Sequence, residues 1–187
     1  METIKIAGFG GSLRKESYSR YLLENSVNLM PENSELKILD IKNFPLMNQD
    51  EENNYPENVK NFKKQIREAD GVLIVTPEYN YSVPGYLKNV MDVASRPYGD
   101  NPFDGKPVAM MSSSIGMLGG SRAQYHLRQS LVFLNMIPVN TPEVFVTFAP
   151  QKFDENGKLT DEMTAKFAGQ LLENLVNLAR DIKNVRH

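Results

Sequence analysis

Five short apolar runs alternate along the chain with five longer segments of helical periodicity. The runs are typical of buried strands in a parallel sheet, and they cover residues 4–9, 36–41, 71–75, 107–111 and 144–148. Between and after them, apolar residues recur every three or four positions, which predicts helices over residues 18–30, 56–69, 85–95, 121–135 and 160–181. This alternation predicts an α/β fold with one five-stranded, doubly wound parallel sheet and helices on both faces.

Each predicted helix has an apolar stripe that we expect to face the sheet. The chain also carries helix boundary signals, with proline in the first turn at Pro56 and Pro84 and a stop at Arg96 and Pro97. The residues expected to be buried are Tyr21, Leu22, Leu23, Val27, Val59, Phe62, Ile66, Leu127, Leu131, Leu134, Phe167, Leu171, Leu175 and Leu178.

Composition narrows the class of protein. The 187 residues carry no repeat or linker and predict a single domain over 1–187. A net charge of −2 gives no general field for nucleic acid. The chain starts directly with a strand pattern rather than a signal peptide, and no apolar run approaches the length of a membrane span. We therefore expect a cytoplasmic protein that contacts neither nucleic acid nor membrane.

The rare residue types exclude several chemistries. The chain has no cysteine, which excludes disulfides, thiolate metal sites and a cysteine nucleophile. His126 and His187 are the only histidines, which excludes a histidine-rich metal site, and no metal is predicted.

The loop after the first run concentrates hydrogen-bond donors. Gly10 and Gly11 allow close approach of the backbone, and a helix begins soon afterwards, so that its N-terminus suits an anion. The donor side chains are Ser12, Arg14, Ser17, Tyr18 and Ser19. A phosphate monoester uses so many converging donors, although serines before a helix can also serve only as caps and paired glycines only as a turn.

Three familiar motifs fail in the same stretch. The dinucleotide fingerprint G-x-G-x-x-G fails because Leu13 stands where its third glycine belongs. No Gly-Lys-Ser/Thr triplet follows to complete a Walker loop. The nucleophile elbow G-x-S-x-G fails because Ser12 is followed by Leu13 and Arg14 instead of a residue and a glycine.

Two further loops follow the third and fourth runs. One contains Pro77, Glu78, Tyr79 and Asn80, and the other runs from the serines at 112–114 through Gly116 to paired glycines at 119–120. Ligands of doubly wound sheets bind at the carboxyl ends of the strands, so we expect all three loops to meet. A flat, polar-edged heterocycle with a phosphate tail would use all of them, and FMN has that shape.

Other interpretations of these residues stay open. Tyr79 and Tyr81 can be ordinary loop packing, and Asn80 can be only a turn residue. The polar residues near the start of the fourth predicted helix favour a subunit contact or a solvated face over chemistry. They are Arg122, Tyr125, His126 and, nearby in the chain, Glu143.

Three segments, GSLRKESYS at 11–19, PEYNYSVPGYLKN at 77–89 and SSSIGMLGGSRAQYHLRQ at 112–129, resemble the NAD(P)H-dependent FMN reductases. That family includes quinone, chromate and azo-compound reductases. The resemblance implies a flavodoxin-like three-layer sandwich, non-covalent FMN, and NADPH or NADH as reductant. It also implies ping-pong, two-electron transfer to a small-molecule acceptor by a homodimer or homotetramer. The segment at 123–129 looks most like the quinone and chromate reductase branch.

The resemblance also implies roles for individual residues. Those around the phosphate are Ser12, Arg14, Ser17, Tyr18 and Ser19, and those bordering the isoalloxazine and ribityl chain are Pro77, Glu78, Tyr79 and Asn80. Ser113 and Gly116 would approach the pyrimidine edge. No catalytic side chain is assigned, because the flavin carries the redox chemistry. Backbone N–H groups near 113–120, at a helix N-terminus, would stabilise the negative charge of the reduced flavin.

The alternatives differ in class. A flavodoxin-type electron carrier is usually strongly acidic and has a phosphate loop without an arginine such as Arg14, whereas this chain is nearly neutral. Two positions depart from the family pattern: many relatives have asparagine where Ser19 stands and tryptophan where Val93 stands. A nucleotide-binding dehydrogenase is disfavoured by the failed glycine fingerprint, and a pure interaction module leaves the three loops unexplained.

Overall fold

The computed structural model describes residues 2–186, with only the backbone for Arg186. Its strands are β1 (Ile4–Gly10), β2 (Ser34–Ile38), β3 (Gly71–Pro77), β4 (Pro107–Ser113), β5 (Ile137–Pro138) and β6 (Val144–Val146). Its α-helices are α1 (Tyr18–Ser26), α2 (Glu57–Glu68), α3 (Gly85–Ala94), α4 (Ser121–Phe133) and α5 (Glu162–Arg186). All strand pairs are parallel, in the order β2-β1-β3-β4-β5, and β6 also pairs with β4. The predicted doubly wound parallel sheet is confirmed.

The fifth position of the sheet is filled by two short segments rather than one strand. β5 lies beside the start of β4, and β6 lies beside its end. The chain reaches β5 because α4 ends in a tight cap, in which Asn135 has φ 55° and the N–H of Met136 donates to the carbonyl of Leu131 at 3.1 Å. The prediction of one strand over 144–148 therefore missed β5, which is too short to show a sequence period.

Buried side chains alternate between the two faces of the sheet. On β1, Ala7 and Phe9 join the core under α2, α3 and α4, whereas Ile4 and Ile6 join the core under α1 and α5. Phe9 meets Phe62 of α2 edge-on, with ring centroids 5.3 Å apart. With cores on both faces, the central strands are fully covered, which fixes the register of their carboxyl ends.

Several predicted details are wrong. Val27 is 43% exposed because α1 ends at Ser26 and passes into a 3₁₀ turn, which carries Val27 away from the sheet. Phe167 is 42% exposed on α5, and that helix extends beyond the predicted end at residue 181. β2 covers Ser34–Ile38 instead of the predicted 36–41. Leu39 and Ile41 are buried as a strand pattern suggests, but they lie in the loop that follows β2.

The register brings three loops to one edge of the sheet. Gly10 of β1 pairs with Val75 of β3, and Pro77 of β3 pairs with Ser113 of β4. The chain leaves β1 toward β2 on one side and leaves β3 toward β4 on the other, so the strand order reverses between β1 and β3. This edge is the position where doubly wound sheets bind ligands.

None of the helices within residues 2–186 has the length and apolar character needed to cross a bilayer.

Candidate functional site

The loop after β1 starts in close contact with β3. The N–H of Gly11 donates to the carbonyl of Val75 at 2.9 Å, which extends the ladder by one residue. A Cβ on Gly11 would lie 2.9 Å from Oγ1 of Thr76 and 3.1 Å from Cδ2 of Leu87. The loops after β1 and β3 therefore begin side by side, and only glycine fits at their junction.

Several hydrogen-bond donors of the same loop have no protein acceptor among residues 2–186. Ser12 and Arg14 reach solvent, and the guanidinium of Arg14 pairs with no carboxylate among the described residues. Ser17 and Ser19 are buried, and their Oγ atoms lie 2.9 Å apart. Ser17 occupies the N-cap position of α1, yet its side chain accepts no backbone N–H. The first N–H groups of α1 have no intrahelical acceptor either, so this end of the helix can receive an anion.

Tyr18 has a different environment from the other predicted phosphate residues. Its ring packs against Tyr21 and Phe153, with centroids 6.1 and 5.8 Å away. The ring therefore anchors the start of α1 to the segment before α5.

The loop after β3 forms a tight hairpin turn. The N–H of Tyr79 donates to the carbonyl of Ser82 at 3.1 Å, and the N–H of Ser82 returns a bond to Tyr79 at 3.0 Å. The two central residues, Asn80 and Tyr81, have φ values of 51° and 63°, as a type I′ turn requires. Tyr79 is 51% exposed, which leaves an aromatic ring available at the rim.

Glu78 joins this hairpin to α4. Its Oε2 accepts the backbone N–H groups of Arg122 and Ala123 at 3.1 and 3.3 Å, and its Oε1 lies 3.4 Å from Nη1 of Arg122. The guanidinium carbon of Arg122 stands 4.0 Å above the centre of the Tyr81 ring. Oγ of Ser82 is also 2.9 Å from Nδ1 of His126. The structure thus places Arg122 and His126 at a contact within the chain, which no local sequence pattern indicated.

The loop after β4 is held down from below. Oγ of the buried Ser112 donates to the carbonyl of Gly119 at 2.6 Å and accepts from Nε2 of Gln124 at 3.0 Å. That Nε2 also donates to the carbonyl of Val144 at 2.8 Å. A Cβ on Gly119, which has φ 58°, would lie 2.7 Å from the carbonyl carbon of Phe145. Gln124 was not among the predicted site residues, because its role depends on contacts with Ser112 and Val144, 12 and 20 positions away in the chain.

The predicted pyrimidine-edge residues lie at the top of β4. Ser113 is 3% exposed, and its Oγ has no hydrogen-bond partner among the described residues. A buried hydroxyl without a partner is costly, so a ligand atom would satisfy it. Gly116 is exposed, and its N–H donates to Oγ of Ser114 at 3.1 Å. Its neighbours Ile115 and Met117 are each 71% exposed, which provides an apolar surface for a flat ring.

Two further observations concern the charged and titratable groups around this edge. The hydrogen bond from the hydroxyl of Tyr125 to Glu143, 3.3 Å long, raises the pKa of Tyr125. No group of three or more histidine, aspartate and glutamate side chains within residues 2–186 is placed to hold a metal ion. The edge therefore offers hydroxyls, a guanidinium and a helix N-terminus at one loop, an exposed aromatic ring at the next, and an unpartnered hydroxyl at the third. This set fits FMN.

Comparison with known proteins gives matches over most of the chain. Residues 4–151 match the family model described as NADPH-dependent FMN reductase. The chain is 45% identical over 175 residues to an NAD(P)H-dependent FMN reductase of Pseudomonas aeruginosa, covering 93% of this chain and 94% of that protein. It is 47% identical over 162 residues to a quinone reductase of Pseudomonas putida, covering 86% and 87%.

Among solved structures, a flavoenzyme NAD(P)H:(acceptor) oxidoreductase of Paracoccus denitrificans superposes with a TM-score of 0.87 at 35% identity, covering 96% of this chain and 98% of that one. The strand order and the solved neighbours confirm the flavodoxin-like fold predicted from the sequence. The matches also confirm the resemblance that the three segments carry.

Proposed function

The chain belongs to the NADPH-dependent FMN reductase family, and we propose from this premise that it is an FMN-dependent NAD(P)H oxidoreductase. Its acceptor would be a quinone, an azo compound, chromate or free flavin, served by ping-pong two-electron transfer. The observation that carries this proposal is the meeting of three loops at one sheet edge. There the guanidinium of Arg14 and the hydroxyl of Ser113 have no hydrogen-bond partner among residues 2–186.

The first loop would hold the phosphate. The guanidinium of Arg14 would supply charge-assisted donors. The hydroxyls of Ser12, of Ser17 at the N-cap of α1 and of Ser19 in its first turn would add to them. Tyr18 would border the same site while its ring stays packed against Tyr21 and Phe153. A phosphate dianion at this helix end gains from both the free N–H groups and the helix dipole.

The other two loops would hold the ring. Pro77, Glu78, Tyr79 and Asn80 border the isoalloxazine and ribityl chain, with Tyr79 as the exposed aromatic. Ser113 and Gly116 approach the pyrimidine edge. These residues would hold FMN, which would supply the two-electron redox chemistry between NADPH or NADH and the acceptor. The open rim allows the nicotinamide and the acceptor to occupy the same face in turn.

We propose a cytoplasmic homodimer or homotetramer in which residues 1–187 form one domain that needs neither nucleic acid nor membrane. The exposed apolar side chains of Val132 and Phe133 near the end of α4, 81% and 72% exposed, support a covered helix face in the assembly.

The proposal is tested by adding FMN to purified protein and titrating anaerobically with NADPH and with NADH. We expect bound flavin that bleaches in one two-electron step with either or both nicotinamides and recolours on addition of benzoquinone. Protein that binds no FMN would contradict the proposal. Bound flavin that neither NADPH nor NADH reduces, and that accepts electrons only one at a time, would favour a flavodoxin-type electron carrier.

A further inference from the structure

The N-terminus of α4 is closed by a carboxylate from a different loop. Helix N-termini carry free N–H groups and a partial positive charge, which attract anions. Here the N–H groups of Arg122 and Ala123 are already bonded to Oε2 of Glu78, 44 and 45 residues earlier in the chain. The sequence predicted that the N–H groups at this helix end would stabilise a reduced flavin. In the structure, two of these groups are instead bonded to the negatively charged side chain of Glu78.

Glu78 stands close to the proposed ring site. Its side chain is 11% exposed, and it directly follows Pro77, which pairs with Ser113 across β3 and β4. Ser113 carries the buried hydroxyl without a partner. A charge in such a partly buried position is only weakly screened by solvent, so it acts on neighbouring groups.

Arg122 balances Glu78 and fixes the hairpin. Its Nη1 lies 3.4 Å from Oε1 of Glu78, and its guanidinium covers the ring of Tyr81. Tyr81 has φ 63°, a left-handed conformation that is strained for a residue with a side chain. The stacked guanidinium offsets part of that strain. The pair therefore ties the turn at 79–82 to the first turn of α4.

We propose that Glu78 is a positioning residue that also lowers the reduction potential of bound FMN. Its carboxylate keeps the N-terminus of α4 from stabilising the added negative charge of the reduced flavin, so the reduced cofactor gives up its electrons more readily. Arg122 acts in the opposite direction. This inference depends on the proposed function, since it requires FMN at this rim.

The experiment compares two variants of opposite charge effect. Glu78→Gln keeps an oxygen that can accept from α4 but removes the charge. We expect it to favour reduced over oxidised FMN by about tenfold, equivalent to a shift of about 30 mV to more positive potential for a two-electron couple. Arg122→Gln should shift the potential to more negative values by a smaller factor, because the guanidinium is 41% exposed. The potentials are measured against redox dyes, and the dissociation constant of oxidised FMN is measured separately by fluorescence.

Asp161→Asn provides the matched control. Asp161 also accepts a backbone N–H at a helix start, from Thr164 at 2.8 Å, and also pairs with a cation, Lys152 at 2.8 Å. It stands at the start of α5, which covers the other face of the sheet from α4. Its loss should leave the flavin potential unchanged. Glu78→Ala, which removes the acceptor as well, should in addition weaken the binding of oxidised FMN, and Glu78→Gln should restore that binding.

The outcomes separate the inference from the proposed function. Wild-type protein that binds no FMN contradicts the proposed function itself. Bound FMN whose potential does not rise in Glu78→Gln overturns the inference. Shifts of the same sign in Glu78→Gln and Arg122→Gln also overturn it, because they indicate loosening of the hairpin rather than charge. If Glu78→Gln does not fold, Arg122→Gln decides alone, with a negative shift supporting the inference and any other result overturning it.

Discussion

The two sides of the rim are built in opposite ways. In the loop after β1, Arg14 is exposed and Ser12 is half-buried, and the N–H of Arg14 donates a weak bond of 3.3 Å to Oγ of Ser12. The loops after β3 and β4 are tied to α4 and to the sheet by the side chains of Glu78, Ser112 and Gln124. The first side offers its donors to a ligand. On the other side most of the named polar side chains bond within the protein, although Oγ of Ser113 has no partner among residues 2–186.

The difference has a physical reason. Exposed donors are satisfied by water, so Arg14 costs little when no ligand is bound. Buried polar groups must find partners inside the protein, so Ser112 and Gln124 fix the loop above them. The frame that we propose for the ring is therefore preorganised, whereas the side that we propose for the phosphate would gain order from its ligand.

The largest effect is expected from adding a methyl group to the rigid side. Gly119→Ala places a Cβ 2.7 Å from the carbonyl carbon of Phe145 at a residue with φ 58°. We expect the free energy of unfolding to fall by about 2–4 kcal/mol, since overpacking and backbone strain add. Urea unfolding of the FMN-free protein measures this.

Gly116→Ala is the control for that change. The nearest atom to its added Cβ is Oγ of Ser114 at 3.8 Å, and its φ is not in the left-handed region. The stability of this variant should stay within about 0.5 kcal/mol of wild type. An equal loss in both variants would show that the loop after β4 is not held as described.

The pH dependence of stability at Asp161, at the start of α5, gives a reference from outside the rim. The hydrogen bond from Lys152, supported by Thr164, lowers the pKa of Asp161 to about 2. Because an unfolded aspartate titrates near about 3.9, this stabilisation is complete above pH 4 and is lost as the pH falls through 2. Wild type should exceed Asp161→Asn by about 1–2 kcal/mol at pH 6, and the difference should shrink toward zero near pH 2. Chemical denaturation at both pH values checks this, and a constant difference would refute it.

The smallest effect concerns Tyr81 in the hairpin. Tyr81→Ala keeps the left-handed backbone and loses the contact with Arg122, so it should destabilise by about 0.5–1 kcal/mol. Tyr81→Gly loses the same contact but removes the strain, so it should be the more stable of the two by about 1 kcal/mol. Thermal unfolding of both variants ranks them. The reverse ranking would show that φ at this position is not left-handed.

Much of the fold could be predicted because its signals are local. The apolar runs of β1, β3 and β4 and the periodic helices between them are each visible within a short window of sequence. β5 could not be predicted, because two residues show no period and Pro138 argues against a strand. Val27 and Phe167 were misplaced because helical periodicity does not show where a helix changes pitch or extends past the sheet.

The site residues likewise divide into those that a short stretch of sequence shows and those that depend on contacts between distant segments. The donors of the first loop lie within eight positions, Ser12 to Ser19, and the sequence shows them directly. The contact of Glu78 with Arg122 spans 44 positions, and that of Ser112 with Gln124 spans 12. Such contacts depend on how α4 packs over the ends of β3 and β4, so a single sequence carries no signal for them.

Central to the proposed function is our inference that the loop after β1 reserves its donors for the phosphate of FMN. It is tested most directly by titrating FMN into wild type, Arg14→Ala and Lys15→Ala while measuring both affinity and stability. We predict that Arg14→Ala weakens FMN binding by about 10- to 100-fold without lowering the stability of the FMN-free protein, and that Lys15→Ala changes the affinity less than about threefold. Equal FMN affinity in wild type and Arg14→Ala, or an FMN-free Arg14→Ala protein that is clearly less stable, would contradict the claim.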